Sequence, residues 1–504
     1  MVVQIKSAAL SGLEVHEINI EVDTINSLPQ VSIIGLGDTA IAEAKERVRL
    51  AIKNSGYSFP STKVVINLAP ADLKKEGSSY DLAMAVGILG KEGNIKGEIN
   101  PNIAFLGELS LDGSLRPVNG ILAIMCDLRQ MGIEKIILPM ENLEEASFID
   151  EIEALGAENL SQVVEYLNGN CELKKLKRSI SDYLAQDDNF EVDFAHVKGQ
   201  LQAKRALELA AAGGHNVLMS GSPGAGKTML SKAFMSILPP LTVKESIELT
   251  KIYSIAGLLD RKHPLITKRP FRSPHHSASS VGIIGGGSNP KPGEITLAHR
   301  GVLFLDEMVE FPRSTLEVLR QPLEDNIVTI SRAQVSVQYP ANFILIGAMN
   351  PCPCGFLGDL KKNCTCSEFQ INRYKSRLSG PLLDRIDIQI KVQRLSDEEL
   401  LGAPDCETSE EIRKRVIKAR EIQFERYKKE GILTNSELTS KLIRKYCKID
   451  EKTKEFLRNA INQYNLSARA YDRILKISRT IADIEGKADI KLEHIAQALQ
   501  LRSI

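Results

Sequence analysis

The rhythm of apolar and polar positions changes three times along the chain. Residues 1 to about 168 mix short apolar runs, VSIIGL and KVVINL, with a segment of helical spacing, IAEAKERVRLAI. That mixture predicts an α+β domain over 1–168. From about Cys171 to Glu191 the pattern is lost. CELKKLKRS is basic and AQDDNFE is polar and acidic, which reads as a linker over 169–191. From Val192 apolar strands alternate with amphipathic helices, the mark of a parallel α/β sheet, to about residue 395. After Val392 the strands stop, and 396–504 reads as helices. The first of these, SEEIRKRVIKAREIQFERYKK, carries Ile412, Val416 and Ala419 as a packing stripe, and its charges form a solvated face. No apolar run approaches the roughly 18 residues of a membrane span.

The second region carries the clearest chemistry. An apolar strand, NVLMS, runs into Gly221-Ser222-Pro223-Gly224-Ala225-Gly226-Lys227-Thr228 and then a helix. This is the context a P-loop requires: glycines let backbone N–H groups face phosphates, and the helix N-terminus adds partial positive charge. Lys227 is placed to reach the β- and γ-phosphates of ATP, and Thr228 to ligate Mg²⁺. A second strand, GVLFLDE, ends in Asp306 and Glu307. Asp306 is expected to hold the Mg²⁺ shell, and Glu307 to polarise the attacking water. A third strand, FILIGAMN, ends at Asn350, expected to position water or sense the γ-phosphate. Three strands delivering polar residues at their carboxyl ends fit the rule for ligand sites in α/β sheets. SGPLLDRID then brings Arg385 and Asp387. The arginine reads either as a finger for a neighbouring subunit's nucleotide or as one half of a local ion pair. SARAYDRILKISR carries Arg469, Arg473 and Arg479, of which Arg469 is favoured as a lid contact to nucleotide.

Cysteine usage divides in two. Cys126, Cys171, Cys406 and Cys447 are scattered singly, which points to a reducing, cytoplasmic setting, as does an N-terminus without a secretory signal. Cys352, Cys354, Cys364 and Cys366 instead form C-x-C-x9-C-x-C directly after Asn350. The spacing admits a tetrahedral Zn²⁺ site of structural role or four reduced thiols. Lys+Arg and Asp+Glu balance at 64 each, so any surface for nucleic acid has to be local.

In this order the motifs resemble those of AAA+ ATPases. GQLQAKRALELAAAGGHNVLMSGSPGAGKT, RPFRSPHHSASSVGIIGGG, PKPGEITLAHRGVLFLDEMVEF and AMNPCPCG look like the YifB/ComM group of magnesium chelatase-like AAA+ proteins, over nearly the whole chain. The resemblance implies a homo-hexameric ring that hydrolyses ATP and drives branch migration of DNA in recombination or natural transformation. The runner-up readings are a motor subunit for metal insertion, as in magnesium chelatase, and a nucleotide-gated scaffold or chaperone. The resemblance also implies two pore-facing insertions, around 277–299 and 328–339. Gly282, Gly285, Gly286 and Gly287 would make the first flexible, and Lys291, His299, Arg300 and Arg332 would be candidate phosphate contacts. His275 and His276 are expected to be structural or DNA-facing. In the first domain, KKEGSSYDLAMAVGIL and GELSLDGSLRPVNGILAIM resemble the Lon protease domain, a ribosomal S5-like fold. Ser79 falls at the nucleophile position and Ile124 at the position of the base. Isoleucine accepts no proton, so a Lon-like fold without peptidase activity is expected.

Overall fold

Strands with one buried face build the first sheet. Among the described residues the strands of this part are β1 (Val3–Ser11), β2 (Glu14–Ile25), β3 (Gln30–Ile34), β4 (Lys63–Ala69), β5 (Ile103–Phe105), β6 (Glu108–Leu109), β7 (Leu115–Arg116), β8 (Lys135–Pro139) and β9 (Glu153–Ala157). In β2, Ile18, Ile20 and Val22 are buried, and in β4, Val64, Ile66 and Leu68, the period of two that a half-buried strand requires. Seven strands join in the order β3-β4-β2-β1-β5-β8-β9, with β1 and β2 antiparallel and β5, β8 and β9 parallel. The helix Asp81–Lys91, buried from Asp81 to Leu89, packs on β1 and β2.

This is a computed structural model, and it describes residues 2–35, 38–70, 73, 75, 77–184, 190–260, 262–287, 290–331, 336–359, 361–395, 407–464 and 466–502. By contact the chain divides into two units, 1–186 with 242–267, and 187–241 with 268–504. Segment 242–267 was expected within the α/β region that starts at Val192, yet it packs in the first unit. Its helix, Val243–Ala256, opens with a capping box between Thr242 and Glu245. Ser254 then anchors it. The Ser254 Oγ accepts from Gly120 N–H at 2.9 Å and donates to Glu145, whose Oε1 also accepts from Leu122 N–H at 2.9 Å. Burial pushes the Glu145 carboxyl up, and these bonds oppose that shift.

The second unit contains β10 (Val217–Ser220), β11 (Phe271–Arg272), β12 (Gly285–Gly286), β13 (Lys291–Pro292), β14 (Val302–Leu305), β15 (Ile327–Ser331), β16 (Ser336–Pro340), β17 (Ile344–Met349) and β18 (Ile388–Lys391). Five of them form a parallel sheet in the order β11-β14-β17-β10-β18. Every residue of β10, β14 and β17 is buried, as expected where helices cover both faces of a parallel sheet. β12 pairs with β13, and β15 with β16, as separate antiparallel hairpins. One apolar cluster runs from Val217, Phe304 and Ile346 through Leu207 to Val416, Ile474 and Ile481 of the C-terminal helices. Ile412, Val416 and Ala419 are all buried in it. The architecture is a mixed α/β fold, a parallel sheet with helices, that fits a P-loop AAA+ fold and continues into C-terminal helices.

Candidate active site: a nucleotide pocket at the carboxyl ends of parallel strands

β10 ends at Ser220, and GSPGAG turns the chain into the helix Lys227–Ile237. Three glycines are needed there. A Cβ on Gly221 would lie 2.3 Å from the Val392 carbonyl oxygen, and Gly224 and Gly226 sit at φ +79° and +89°. The neighbouring strands β14 and β17 bring Asp306, Glu307 and Asn350 to the same end of the sheet. A cavity of about 410 Å³ is lined by residues 223–229 together with Asp306, Glu307, Met349 and Asn350.

The side chains of this cavity are already bonded to one another. Lys227 Nζ donates to Gly221 O at 2.6 Å, Ser222 O at 3.1 Å and Asn350 Oδ1 at 3.4 Å. Burial pushes its ammonium pKa down, and the Asp306 and Glu307 carboxylates push the other way. Thr228 Oγ1 donates to Asp306 Oδ2 at 3.0 Å. A hydroxyl and a carboxylate in contact are the hard oxygen donors that Mg²⁺ takes, so these two residues fit that ion. Glu307 occupies the left-handed region at φ +49°, a strained setting for a non-glycine residue and one that marks functional sites. Its Oε2 lies 3.6 Å from His276 Nδ1. Sequence reasoning left His276 as structural or DNA-facing, because only the fold shows that the loop after β11 passes the end of β14.

The four clustered cysteines leave the same strand end. Their Sγ atoms all lie within 4.8 Å of one another. Cys352 is 3.4 Å from Cys354 and 3.6 Å from Cys364, and Cys354 is 3.6 Å from Cys364. A tetrahedral Zn²⁺ with bonds of about 2.3 Å sets its sulfurs about 3.8 Å apart, so the donor set fits that ion. The loop also abuts the P-loop: a Cβ on Gly355 would meet the Pro223 ring at 2.8 Å.

Three family descriptions match the chain: "Magnesium chelatase, subunit ChlI" over 193–400, "Subunit ChlI of Mg-chelatase" over 20–142, and "Magnesium chelatase, subunit ChlI C-terminal" over 406–502. The chain is 42% identical to competence protein ComM of Haemophilus influenzae, across 99% of its own length and 97% of that protein. It belongs to the YifB/ComM family of magnesium chelatase-like AAA+ proteins. YifB of Salmonella typhimurium is 41% identical over the same shares. The magnesium-chelatase 67 kDa subunit of Heliobacterium mobile is 26% identical over 45% of this chain and 38% of that protein.

In this YifB/ComM family member the expected arginines lie away from the P-loop. Val217 at the start of β10 pairs with Ile388 at the start of β18, so Arg385 precedes the sheet end opposite the P-loop. Four residues of strand separate the two, about 10 Å. Arg385 and Arg469 together line a second cavity of about 390 Å³, and neither lines the P-loop cavity. Arg479 is buried and spent on structure, donating to Asp483 at 3.1 Å and to the Ala488 and Lys487 carbonyls at 2.6 Å each.

Among the candidate phosphate contacts, Lys291 is exposed on β13. His299 is not at the surface as expected: it is 1% exposed, and its Nδ1 accepts from Asn342 N–H at 3.0 Å. Arg300 is half-buried, with its N–H bonded to the Asn342 carbonyl at 2.6 Å. Arg332 lies outside the described residues. In the first unit Ile124 is buried, and the Ser79 carbonyl accepts from Gly107 N–H at 3.0 Å.

Proposed function

We propose that this AAA+ ATPase is a homo-hexameric ring motor that hydrolyses ATP to move on DNA, with branch migration in recombination or natural transformation as its specific task. The observation that carries this reading is the convergence of Lys227, Thr228, Asp306, Glu307 and Asn350 on one cavity. The P-loop amides and Lys227 hold the phosphates, and charge neutralisation there favours transfer. Thr228 and Asp306 are the residues that would hold Mg²⁺, which supplies charge neutralisation on the phosphate oxygens. Glu307 accepts the proton of the attacking water, and Asn350 orients that water against the γ-phosphate. Arg385 serves the nucleotide of a neighbouring subunit, and Arg469 is the lid contact to nucleotide. Support for DNA as the track comes from the relative named as a competence protein and from the β12–β13 and β15–β16 hairpins, the first carrying exposed Lys291. The first unit is read as a Lon-like fold without peptidase activity, because Ile124 supplies no base. The setting is cytoplasmic.

Purified protein is expected to hydrolyse ATP faster with single-stranded or forked DNA than without, and Lys227→Ala to abolish both rates. A rate that no DNA changes would count against the DNA motor. It would favour the second reading, a motor for metal insertion, which draws on the three family descriptions that name magnesium chelatase.

We also propose that Cys352, Cys354, Cys364 and Cys366 hold one structural Zn²⁺. Elemental analysis of the purified chain should give about one zinc per subunit. Cys364→Ser with Cys366→Ser should lose it and lower Tm by about 5–10 °C. Wild-type protein purified without bound zinc, and as stable as after zinc is added, would overturn the assignment.

A further inference from the structure

Arg385 is held by the lid. The three carbonyls before β18 are each capped by a lid arginine. Arg473 Nη1 donates to Arg385 O at 2.9 Å, and Arg502 Nη1 donates to the Ile386 and Asp387 carbonyls at 3.1 Å each. Arg473 also pairs with the Asp387 carboxylate. The other Asp387 oxygen accepts from Asn216 N–H at 3.1 Å and lies 3.5 Å from His215 Nδ1. Asp387 is 3% exposed, and burial alone would push its carboxyl up. The Arg473 charge, followed by His215, outweighs that and holds it well below the usual carboxylate range. Asn216 ties the same segment to the sheet: its Nδ2 donates to Arg385 O at 3.4 Å, and its Oδ1 accepts from Leu345 N–H at 2.8 Å.

Arg385 itself is 8% exposed. Its Nη1 donates to Pro381 O at 2.8 Å and its Nη2 pairs with Glu324, while Nε has no hydrogen-bond partner among the described residues. A buried guanidinium with one free donor is costly unless a ligand completes it. Arg473 stands four residues after Arg469 on the helix Ala468–Ile484. One helix therefore lines the second cavity with Arg469, Arg473 and Lys476, and through Arg473 fixes the backbone that carries Arg385.

We infer that Arg473 is a positioning residue for Arg385: its contacts with the Arg385 carbonyl and Asp387 set the direction in which Arg385 meets a neighbouring subunit's nucleotide. The inference rests on the proposal that Arg385 acts across subunits. Displacing a charge-stabilising group by about 1 Å can cost a hundredfold in rate, so a lid contact that fixes that direction acts on kcat.

The test compares Arg473→Ala with Arg385→Ala, each alone and each mixed with Lys227→Ala subunits, which bind no ATP but carry both arginines intact. Arg473→Ala should bind a fluorescent ATP analogue within about twofold of wild type and lose about 10–100-fold in kcat. Mixing with Lys227→Ala should restore its activity to the same fraction as it restores Arg385→Ala. Should Arg473→Ala fail to fold or assemble, Arg473→Lys carries the comparison. It keeps the charge without the fork and should show a smaller loss with the same rescue. Wild-type kcat in the variant that folds overturns the inference. So does a loss that Lys227→Ala does not rescue while rescuing Arg385→Ala, because Arg473 then serves its own subunit. Failure to rescue Arg385→Ala itself overturns the cross-subunit reading, and this inference with it.

Discussion

Glu307→Gln should lower kcat for ATP hydrolysis by about 10²–10⁴-fold while leaving ATP affinity within a few-fold of wild type. Glu307 follows the end of β14 on the wall of the P-loop cavity, with its side chain facing that space rather than the core. Glutamine keeps the size and the hydrogen bonding, but its amide accepts no proton from water. In the proposed mechanism the bonds that hold phosphate come from Lys227 and the P-loop backbone, which the substitution leaves in place. Single-turnover hydrolysis and equilibrium binding on the same preparation separate the two effects. A rate within threefold of wild type would remove Glu307 from the role of base. A joint loss of rate and affinity would place it among the binding groups instead.

Arg385→Ala should cost about 10³-fold in kcat, the lower range for a cation that stabilises charge on the transferred phosphoryl group. Affinity for ATP should hold, because Arg385 precedes the sheet end opposite its own P-loop. The loss should therefore grow out of assembly. Diluting the wild-type ring until it dissociates should lower the rate per subunit toward that of the variant. A wild-type rate per subunit that is independent of concentration through dissociation would show that each subunit completes its own site, and would overturn the cross-subunit role of Arg385. Removal of Arg385 also leaves Glu324 without its partner. Glu324 is half-exposed, so that loss is expected to cost little in stability.

The convergence of the P-loop, Asp306, Glu307 and Asn350 on one cavity was legible in the sequence because each of its parts is local. A P-loop is a strand, a turn and a helix in one run of residues, and its glycines answer to backbone geometry that neighbours in sequence impose. Asp306 and Asn350 announce themselves as polar residues that end buried strands. The clustered cysteines are likewise a local pattern, and the fold brings their sulfurs within 4.8 Å of one another.

What the chain hides is which surfaces meet. The helix Val243–Ala256 has the same amphipathic spacing whether it covers the parallel sheet or the first unit. The hydroxyl of Ser254 beside the buried Glu145 decides between them, across a sequence separation of 109 residues. His299 looks like a surface cation until a buried backbone N–H from Asn342 is found on its ring. Three lid arginines look alike in SARAYDRILKISR. Tertiary contacts bring Arg469 and Arg473 to one cavity, bond Arg473 also to the backbone of 385–387, and bond Arg479 to the carbonyls of Lys487 and Ala488. The sequence by itself determined the family, the parallel α/β region and the polar residues at its strand ends, because periodicity and turn chemistry act over a few residues. Only the tertiary structure decided where segment 242–267 packs, which arginine bonds the backbone of 385–387 and which bonds the carbonyls of Lys487 and Ala488. Those outcomes depend on burial and on hydrogen-bond partners drawn from distant parts of the chain, and no local pattern encodes them.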